Sequence, residues 1–555
     1  MVRWAALVLA VCQLLSGCGP DRAGSSGCFP ALYPEAGLFL RATQRARSRP
    51  LEVKITGLTV PHHLLAADLM AEAFNRLRHQ RYRRIILLSP DHFKRGRTRF
   101  SVTPKDFQTV FGKVTTDQAA ISQLLANPLV SVSELFSHEH GVQALLPLVA
   151  HYLTDVKVVA IAIHPAAGPA DWDSLARTLT PLVTPDTLLI QSTDFSHYLP
   201  RREAQVKDQE TLRILSRGEP EGVISLKEPG HLDCRAAQYL QLRLQREIFQ
   251  ARPTVMAHKN SQEYTAETLD RTTSYIVQLY SREPLPVEGG DSVFFAGDTF
   301  FGRSMAKALA SKGRREALVQ EILKVTRGAG LIVNLEGVVR EKCSVETNPY
   351  KLCMEKDITL EILKKINTKA VSLANNHSHD YGDDAYRDMR QLLSSHGLEV
   401  LEHRSIANLG RFRLAAFTEV DNSQKPMARR LSEPDLECLN GVDADKPLLA
   451  LVHWGPEYAG EPTPREELVA ARLAAKGVEL IIGSHSHRAT GLTATKDCCQ
   501  VFSLGNFIFD QRRPEASGAI LEVIFFPSGT YFLRLHPLGN LYAKMFFPKD
   551  NPSAE

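Results

Sequence analysis

The chain has 555 residues, enough for three or four domains of about 150 residues or for two large α/β ones. Apolar residues make up 44% and charged residues 23%, the mix of a folded globular chain, and 66 basic against 62 acidic residues leave a net charge of +4. That near balance argues against a general nucleic-acid binder. No apolar run reaches the roughly 18 residues of a spanning helix, which excludes a multi-pass membrane protein.

Residues 1–18 read as an address. Arg3 supplies a short positive region, Ala5 to Leu15 is an 11-residue apolar stretch, and Leu15-Ser16-Gly17-Cys18 resembles the lipobox of bacterial lipoproteins. The resemblance implies a lipoprotein signal peptide, a diacylated Cys18, and a chain exported and lipid-anchored to the cell envelope on its periplasmic or outer face. Two acyl chains suffice for stable anchoring, where one binds marginally. Gly19 follows the cysteine, so nothing resembles the inner-membrane retention signal. Residues 19–50, rich in Gly, Ser and Pro with Arg41, Arg45, Arg47 and Arg49, read as a tether. Export also permits disulfides. Cys343 and Cys353 bracket a polar, Pro-containing loop that a bridge could staple, although connectivity is not readable from sequence.

Beyond the tether, short apolar runs end abruptly in His, Asp, Asn or Glu. In the first half these are Arg-Ile-Ile-Leu-Leu-Ser-Pro-Asp91-His92, Val-Val-Ala-Ile-Ala-Ile-His164 and Leu-Leu-Ile-Gln-Ser-Thr-Asp194-Phe-Ser-His197. A Pro/Gly-rich stretch, residues 283–291, follows and reads as a linker that few contacts should cross. After it come Val-Phe-Phe-Ala-Gly-Asp298, Leu-Ile-Val-Asn334-Leu-Glu336, Ala-Val-Ser-Leu-Ala-Asn375-Asn376-His377, Leu-Ala-Leu-Val-His453 and Leu-Ile-Ile-Gly-Ser-His485-Ser-His487. Continuous apolar runs mean strands buried on both faces, as in α/β sheets. Amphipathic stretches between them, Leu64 to His79 and Arg235 to Phe249 among them, read as helices. Ligands in open α/β sheets bind beyond the carboxyl ends of strands, so metal-type side chains at those ends point to one polar site in each half.

The second half, residues 292–545, resembles the CapA family of poly-gamma-glutamate synthesis proteins, a branch of the calcineurin-like metallophosphoesterase fold. Its motifs are Gly-Asp298-Thr-Phe-Phe-Gly-Arg303, Asn334-Leu-Glu336, Asn375-Asn376-His377-Ser-His-Asp380, His453-Trp-Gly-Pro-Glu457, His485-Ser-His487 and Ser-Leu-Gly-Asn506. The resemblance implies a four-layer α/β sandwich and a pocket in which Asp298, Glu336, Asn376, His453, His485 and His487 hold divalent metal (Mn, Fe, Zn or Mg), with catalysis resting on His377, Asp298 and Asn376. Asn375, Asp380 and Glu457 would stand behind them. The His485-x-His487 spacing puts two imidazoles on one side of an extended segment, and a neutral His377 could protonate a leaving group. Hydrolytic relatives carry Asp-x-His at the first strand, whereas here Thr299 and Phe300 follow Asp298.

The first half, residues 51–282, resembles the Memo-like family and the AmmeMemoRadiSam system protein B, through Pro61-His62-His63, Ser-Pro-Asp91-His92, His138-Glu139-His140-Gly, Ser192-Thr-Asp194-Phe-Ser-His197 and Asp233-Cys234. The resemblance implies an extradiol-dioxygenase-like α/β domain whose metal is held by His62, His92 and Cys234, with Glu139, His140, Asp194 and His197 around it. A thiolate ligand tilts the choice toward Fe, Cu or Zn.

Two function classes follow. One is a metal-dependent envelope enzyme of the hydrolase or phosphoesterase type acting in anionic exopolymer or capsule synthesis or export. The other is a non-catalytic metal- or polymer-binding lipoprotein that keeps both folds. The partners implied are an anionic polymer or a small-molecule substrate, the membrane through its anchor and envelope synthesis or export proteins, with no nucleic acid.

Overall fold

The computed structural model describes residues 27–343, 348, 350–420, 431–442, 445–495 and 497–547. Residues 1–18, with Cys18, lie outside them. Among the described residues no helix is long and apolar enough to cross a membrane.

In the first half the apolar runs form the middle of a mixed sheet. Lys157–Ile163, Arg84–Pro90, Thr187–Ser192 and Gly57–Val60 lie parallel in that order, and Thr272–Ser281 closes on Gly57–Val60 antiparallel. Helices cover both faces, which is why these strands need no polar side. One face packs Phe39, Met70 and Phe74; the other packs Trp172, Leu212 and Leu240. The stretch read as amphipathic from Leu64 becomes a 3₁₀ turn, Leu64–Ala66, running into helix Ala67–Asn75, and the one from Arg235 becomes helix Arg235–Leu244.

The tether reading of residues 19–50 gives way from residue 27 onward. Cys28–Phe29 pairs with the strand Asp106–Thr109, and Ala36–Arg45 is a helix with Phe39 and Ala42 buried. The arginines that suggested a solvated linker sit on its exposed side and just beyond it, while the three-residue spacing of Phe39 and Ala42 supplies a buried face.

The second half is two sheets packed face to face. In one, Asp291–Thr299 lies between Gly330–Leu335, parallel, and Gly518–Phe525, antiparallel; in the other, Arg413–Thr418, Leu448–His453 and Val478–Ser484 run parallel. Phe295, Leu414, Leu480 and Val523 fill the space between the sheets. Helices Lys312–Thr326, Lys356–Lys365 and Gly382–Ser395 cover the first sheet, and Pro464–Ala475 covers the second, giving a four-layer α/β sandwich. Cys343 and Cys353 form a disulfide.

The halves are not joined by the linker alone. Tyr531–Gly539 is an edge strand of the first sheet of the second half, and helix Arg201–Arg217 of the first half covers it. Gln209 accepts from the Tyr531 backbone N–H at 2.8 Å and donates to its carbonyl at 3.1 Å, so a side-chain amide stands in for a neighbouring strand. Leu533 N–H donates to Ser216 Oγ, Arg534 donates to the Leu285 carbonyl, and His258 spans Asp208 and Ser528 at 2.8 and 2.7 Å. Ile524, Phe526 and Phe532 join a first-half core, and Leu285 of the linker is buried. The expectation of few crossing contacts fails because an open edge has to be covered. A cavity of about 1290 Å³ also lies between the halves, among Arg213, Arg217, Glu461, Glu479 and Gln500, and neither cluster of metal-type residues lines it.

Candidate metal centres

The second-half donors come from the carboxyl ends of parallel strands. Asp298 ends Asp291–Thr299, Glu336 follows Gly330–Leu335, His453 ends Leu448–His453, and His485 and His487 follow Val478–Ser484. Gly483 lets that last strand approach its neighbour: a Cβ there would sit 1.8 Å from the Phe502 carbonyl oxygen. The His485–His487 segment is not extended as the sequence reading had it. His485 and His487 both take left-handed backbone, φ 93° and 57°, and the His485 N–H is tied to the Asp298 carboxylate at 3.1 Å. Non-glycine residues in that region persist where the surroundings over-determine them.

The carboxylate of Asp298 is fully buried and lies 3.1 Å from His487 Nδ1 and 3.9 Å from His453 Nδ1. Burial would raise its carboxyl, but the hydrogen bond and charge of His487 win and hold it at about 2. Glu336 goes the other way, pushed up to about 7 by burial and by the charge of Asp298. Burial lowers His485 to about 4, and burial with His485 beside it takes His453 well below its usual value. Burial also opposes the charge on His487, yet Asp298 and Glu336 lift it to about 9.

Two groups of donors place their ligand atoms within 4.8 Å of one another: Glu336, His453 and His485, and Asp298, Glu336 and His487. Glu336 belongs to both. Its Oε2 and the Nδ1 of His485 are buried without a hydrogen-bond partner, a costly state for polar atoms unless a cation takes them. Oxygen and imidazole donors suit a pair of adjacent divalent metals. Asn376 Oδ1 sits 2.7 Å from His453 Nε2, at the edge of this group.

Other sequence-named residues stand behind the donors. His377 Nε2 is 3.7 Å from Glu336, and its Nδ1 is 2.8 Å from Asp380; burial opposes the His377 charge, but Asp380 and Glu336 raise its pKa. Asn375 holds the loop by donating to the Leu335 carbonyl and accepting from His377 N–H. Glu457 is exposed at the rim, and only its charge reaches His487. Sequence reasoning missed Asn334, Ser484 and Asn506 as site residues. Asn334 donates to Asp298 at 2.8 Å, Ser484 Oγ is 3.0 Å from His453 Nδ1, and Asn506 Oδ1 is 2.8 Å from His487 Nδ1. Such partners orient ligating rings. Each lies within two residues of a motif ligand or within a quoted motif, the signal that could have found them.

In the first half His62, His92 and His140 gather, with ring centroids 4.7 Å apart for His62 and His92 and 3.9 Å apart for His92 and His140. Glu139, fully buried, lies 2.6 Å from His92 Nδ1 and accepts from the His92 and Gly141 backbone N–H groups. Ser192 Oγ is 3.1 Å from His62 Nδ1. Asp194 accepts from the His62 N–H, and burial with the neighbouring Asp233 pushes its carboxyl up to about 8. His197 keeps a buried Nδ1 without a hydrogen-bond partner.

Cys234 is not in this group. It precedes helix Arg235–Leu244, belongs to the apolar cluster that holds Phe195, Leu232 and Tyr239, and burial keeps its thiol well above the usual range. His140 takes the third place that sequence reading gave to Cys234. Asp233, one residue earlier, faces the cluster instead, 3.2 Å from His62 Nε2 and 3.8 Å from His92 Nε2.

Comparison with known proteins matches this division. The model of the Memo-like protein family covers residues 23–277, and that of the bacterial capsule synthesis protein PGA_cap covers 292–401 and 419–511. The PGA biosynthesis protein CapA of Bacillus subtilis (strain 168) is 24% identical over 257 residues, 42% of this chain and 66% of that protein. The capsule biosynthesis protein CapA of Bacillus anthracis is 27% identical over 208 residues, 33% of this chain and 50% of that protein. A MEMO1 family protein of Thermotoga petrophila is 29% identical over 141 residues, 24% of this chain and 50% of that protein. The chain thus spans about half to two-thirds of the length of these curated relatives. It carries a Memo-like domain, residues 23–277, running into a capsule synthesis protein domain of the PGA_cap type, residues 292–511.

Proposed function

We propose that the second half is a metal-dependent hydrolase of the phosphoesterase type, acting in the synthesis or export of an anionic exopolymer (poly-gamma-glutamate or capsule) at the cell envelope. The first half holds a metal of its own, Fe, Cu or Zn. The observation that carries the reading is the pair of orphaned buried atoms, Glu336 Oε2 and His485 Nδ1, inside converging donors from separate strand ends. Mn, Fe, Zn or Mg bound there would supply a nucleophilic water at neutral pH and neutralise developing charge. The chain's own part is carried by His377: Asp380 fixes its Nδ1, its Nε2 is on the side of Glu336, and its raised pKa keeps a proton available for a leaving group. Turnover of phosphate mono- and diesters by the full chain loaded with each metal tests this. A fully loaded protein that turns over none of them rules the reading out.

One observation favours the second reading, a non-catalytic metal- or polymer-binding lipoprotein. Phe300, two residues after Asp298, is fully buried with its ring 5.4 Å from Phe509, where hydrolytic relatives of the resembled fold carry a histidine. That reading expects metal and polymer binding without turnover.

The proposed anchor is Cys18. Cys18→Ser should release the protein from membranes or leave it unprocessed, and a variant that matures and fractionates as the wild type does would remove the anchor.

A further inference from the structure

Outside the ligands, two aromatic rings and two guanidinium groups flank His487. The Phe509 ring lies 4.9 Å from the His487 ring and the Tyr458 ring 6.0 Å from it. Each ring carries an arginine. Arg303 Cζ is 5.7 Å from the Phe509 centroid and 5.0 Å from that of Phe300, and Arg513 Cζ is 4.9 Å from the centroid of Tyr458. Asp510 fixes the first of them, accepting from Arg303 Nη2 at 2.6 Å and from Ser304 N–H at 3.0 Å. The charges of both arginines reach the Tyr458 hydroxyl, so both belong to one rim. Arg303 and Tyr458 hold left-handed backbone, φ 50° and 62°, at this rim.

A guanidinium held over a ring carries planar N–H donors whose fork matches the two oxygens of a carboxylate. The rim is not a general sink for anions, because Glu457 and Glu515 also act on Tyr458 and Asp510 already engages Arg303. Alternating signs suit an extended chain that carries carboxylates together with amide N–H donors, better than a compact tetrahedral anion. We propose that Arg303 and Arg513 are specificity-determining residues of the second-half site and hold carboxylates of such a chain beside His487. The inference rests on the reading of this half as acting on an anionic polymer, and it adds which side chains recognise that polymer.

The test titrates a gamma-linked glutamate oligomer into the full chain. Arg303→Ala with Arg513→Ala should bind about tenfold more weakly than the wild type, and the exposed Arg513→Ala alone about threefold more weakly. Arg512→Ala is the control: its guanidinium lies 4.1 Å from the Phe547 ring, and its removal deletes the same charge one residue along. It should bind as the wild type does. The metal content of the double variant should match the wild type, and inorganic phosphate should bind both equally. Unchanged oligomer binding by the double variant overturns the proposal, as does an equal loss in Arg512→Ala or an equal loss for phosphate. A wild type that binds no oligomer removes the parent reading, whereas wild-type binding with an unchanged double variant removes this proposal alone.

Discussion

The two clusters use the same residue types at the same place in their sheets and each raises one imidazole against a carboxylate, but they differ in the carboxyl at their centre. In the second half the deepest carboxylate, Asp298, stays ionised at about 2 because His487 and His453 face it, and the neutral imidazoles His453 and His485 lie beside it. In the first half the buried carboxyl of Asp194 is driven up to about 8, while His92, between Glu139 and Asp233, rises to about 10 in spite of burial. A site that keeps an anion buried is prepared for cations before any arrive. Both sites pair a raised imidazole with a carboxylate, so both must give up a proton when a metal binds, from His487 in one and from His92 in the other. Two donor groups sharing Glu336 make the second-half cluster the candidate for a metal pair, and the one group of His62, His92 and His140 makes the first-half cluster the candidate for a single metal.

The largest effect should come from removing imidazoles on one side of this comparison only. His485→Ala with His487→Ala, made in the full chain, should abolish most second-half metal binding and leave first-half binding in place. Elemental analysis of wild type and variant, with parallel samples lacking His62 and His92, separates the two pools. The variant should also lose only the part of its thermal stability that chelation removes from the wild type. Wild-type metal content in the folded double variant would eliminate the second-half centre.

The next effect sharpens the first-half assignment. His140→Ala should weaken first-half metal binding at least about tenfold, as loss of a ligand or its orienting partner does, and Cys234→Ser should leave it near the wild-type value. The reverse order would return the thiol to the metal.

The strand ends were legible in the sequence because strands buried on both faces leave little choice about where polar residues may appear. Asp298, Glu336, His453 and His485 follow apolar runs directly, and each arrives at the site. Cys234 misled because its motif places a ligand type at the right position while the local chain does otherwise: the residue heads a helix whose apolar side takes the thiol inward, and the adjacent Asp233 turns toward the imidazoles. The kink at His485 was not legible either, since its cause is a hydrogen bond to Asp298, 187 residues earlier. Nor was the packed helix Ala36–Arg45, whose buried face rests on only two residues set among exposed arginines.

A smaller effect lies in the acid limb of stability, and it should belong to the second half. Glu522 is fully buried, and although burial raises its carboxyl, His536, Arg534 and Arg327 hold it at about 2 against the usual 4.5. A carboxylate lowered in the folded state stabilises above its unfolded value, and that stability is lost as pH falls from about 4.5 toward 2. At about 1.4 kcal/mol per pH unit the full loss is about 3 kcal/mol, of which about 2 kcal/mol falls above pH 3. Chemical denaturation of metal-free protein between pH 6 and pH 3 should show it, and Glu522→Gln should flatten the slope. An equal slope in that variant would place the acid sensitivity elsewhere.

The smallest expected effect asks whether the two halves can be compared as separate bodies at all. Helix Arg201–Arg217 covers the edge strand Tyr531–Gly539, and the Gln209 amide makes both backbone hydrogen bonds of Tyr531 that a neighbouring strand would make. Gln209→Ala leaves a buried N–H and a buried carbonyl unpaired at one residue. Two lost hydrogen bonds at about 1 kcal/mol each should cost about 2 kcal/mol. Because Ile524, Phe526 and Phe532 share a core with first-half side chains, the loss should fall on the chain as a whole. A single unfolding transition should shift to lower urea without splitting, and limited proteolysis at residues 283–291 should not release two stable fragments. Gln209→Glu sharpens the outcome, since it keeps an acceptor for the Tyr531 N–H but no donor for the carbonyl, and should fall between wild type and alanine only if each bond counts separately. Two separate transitions in the wild type would show that the interface carries little energy, and the clusters could then be studied in isolated halves.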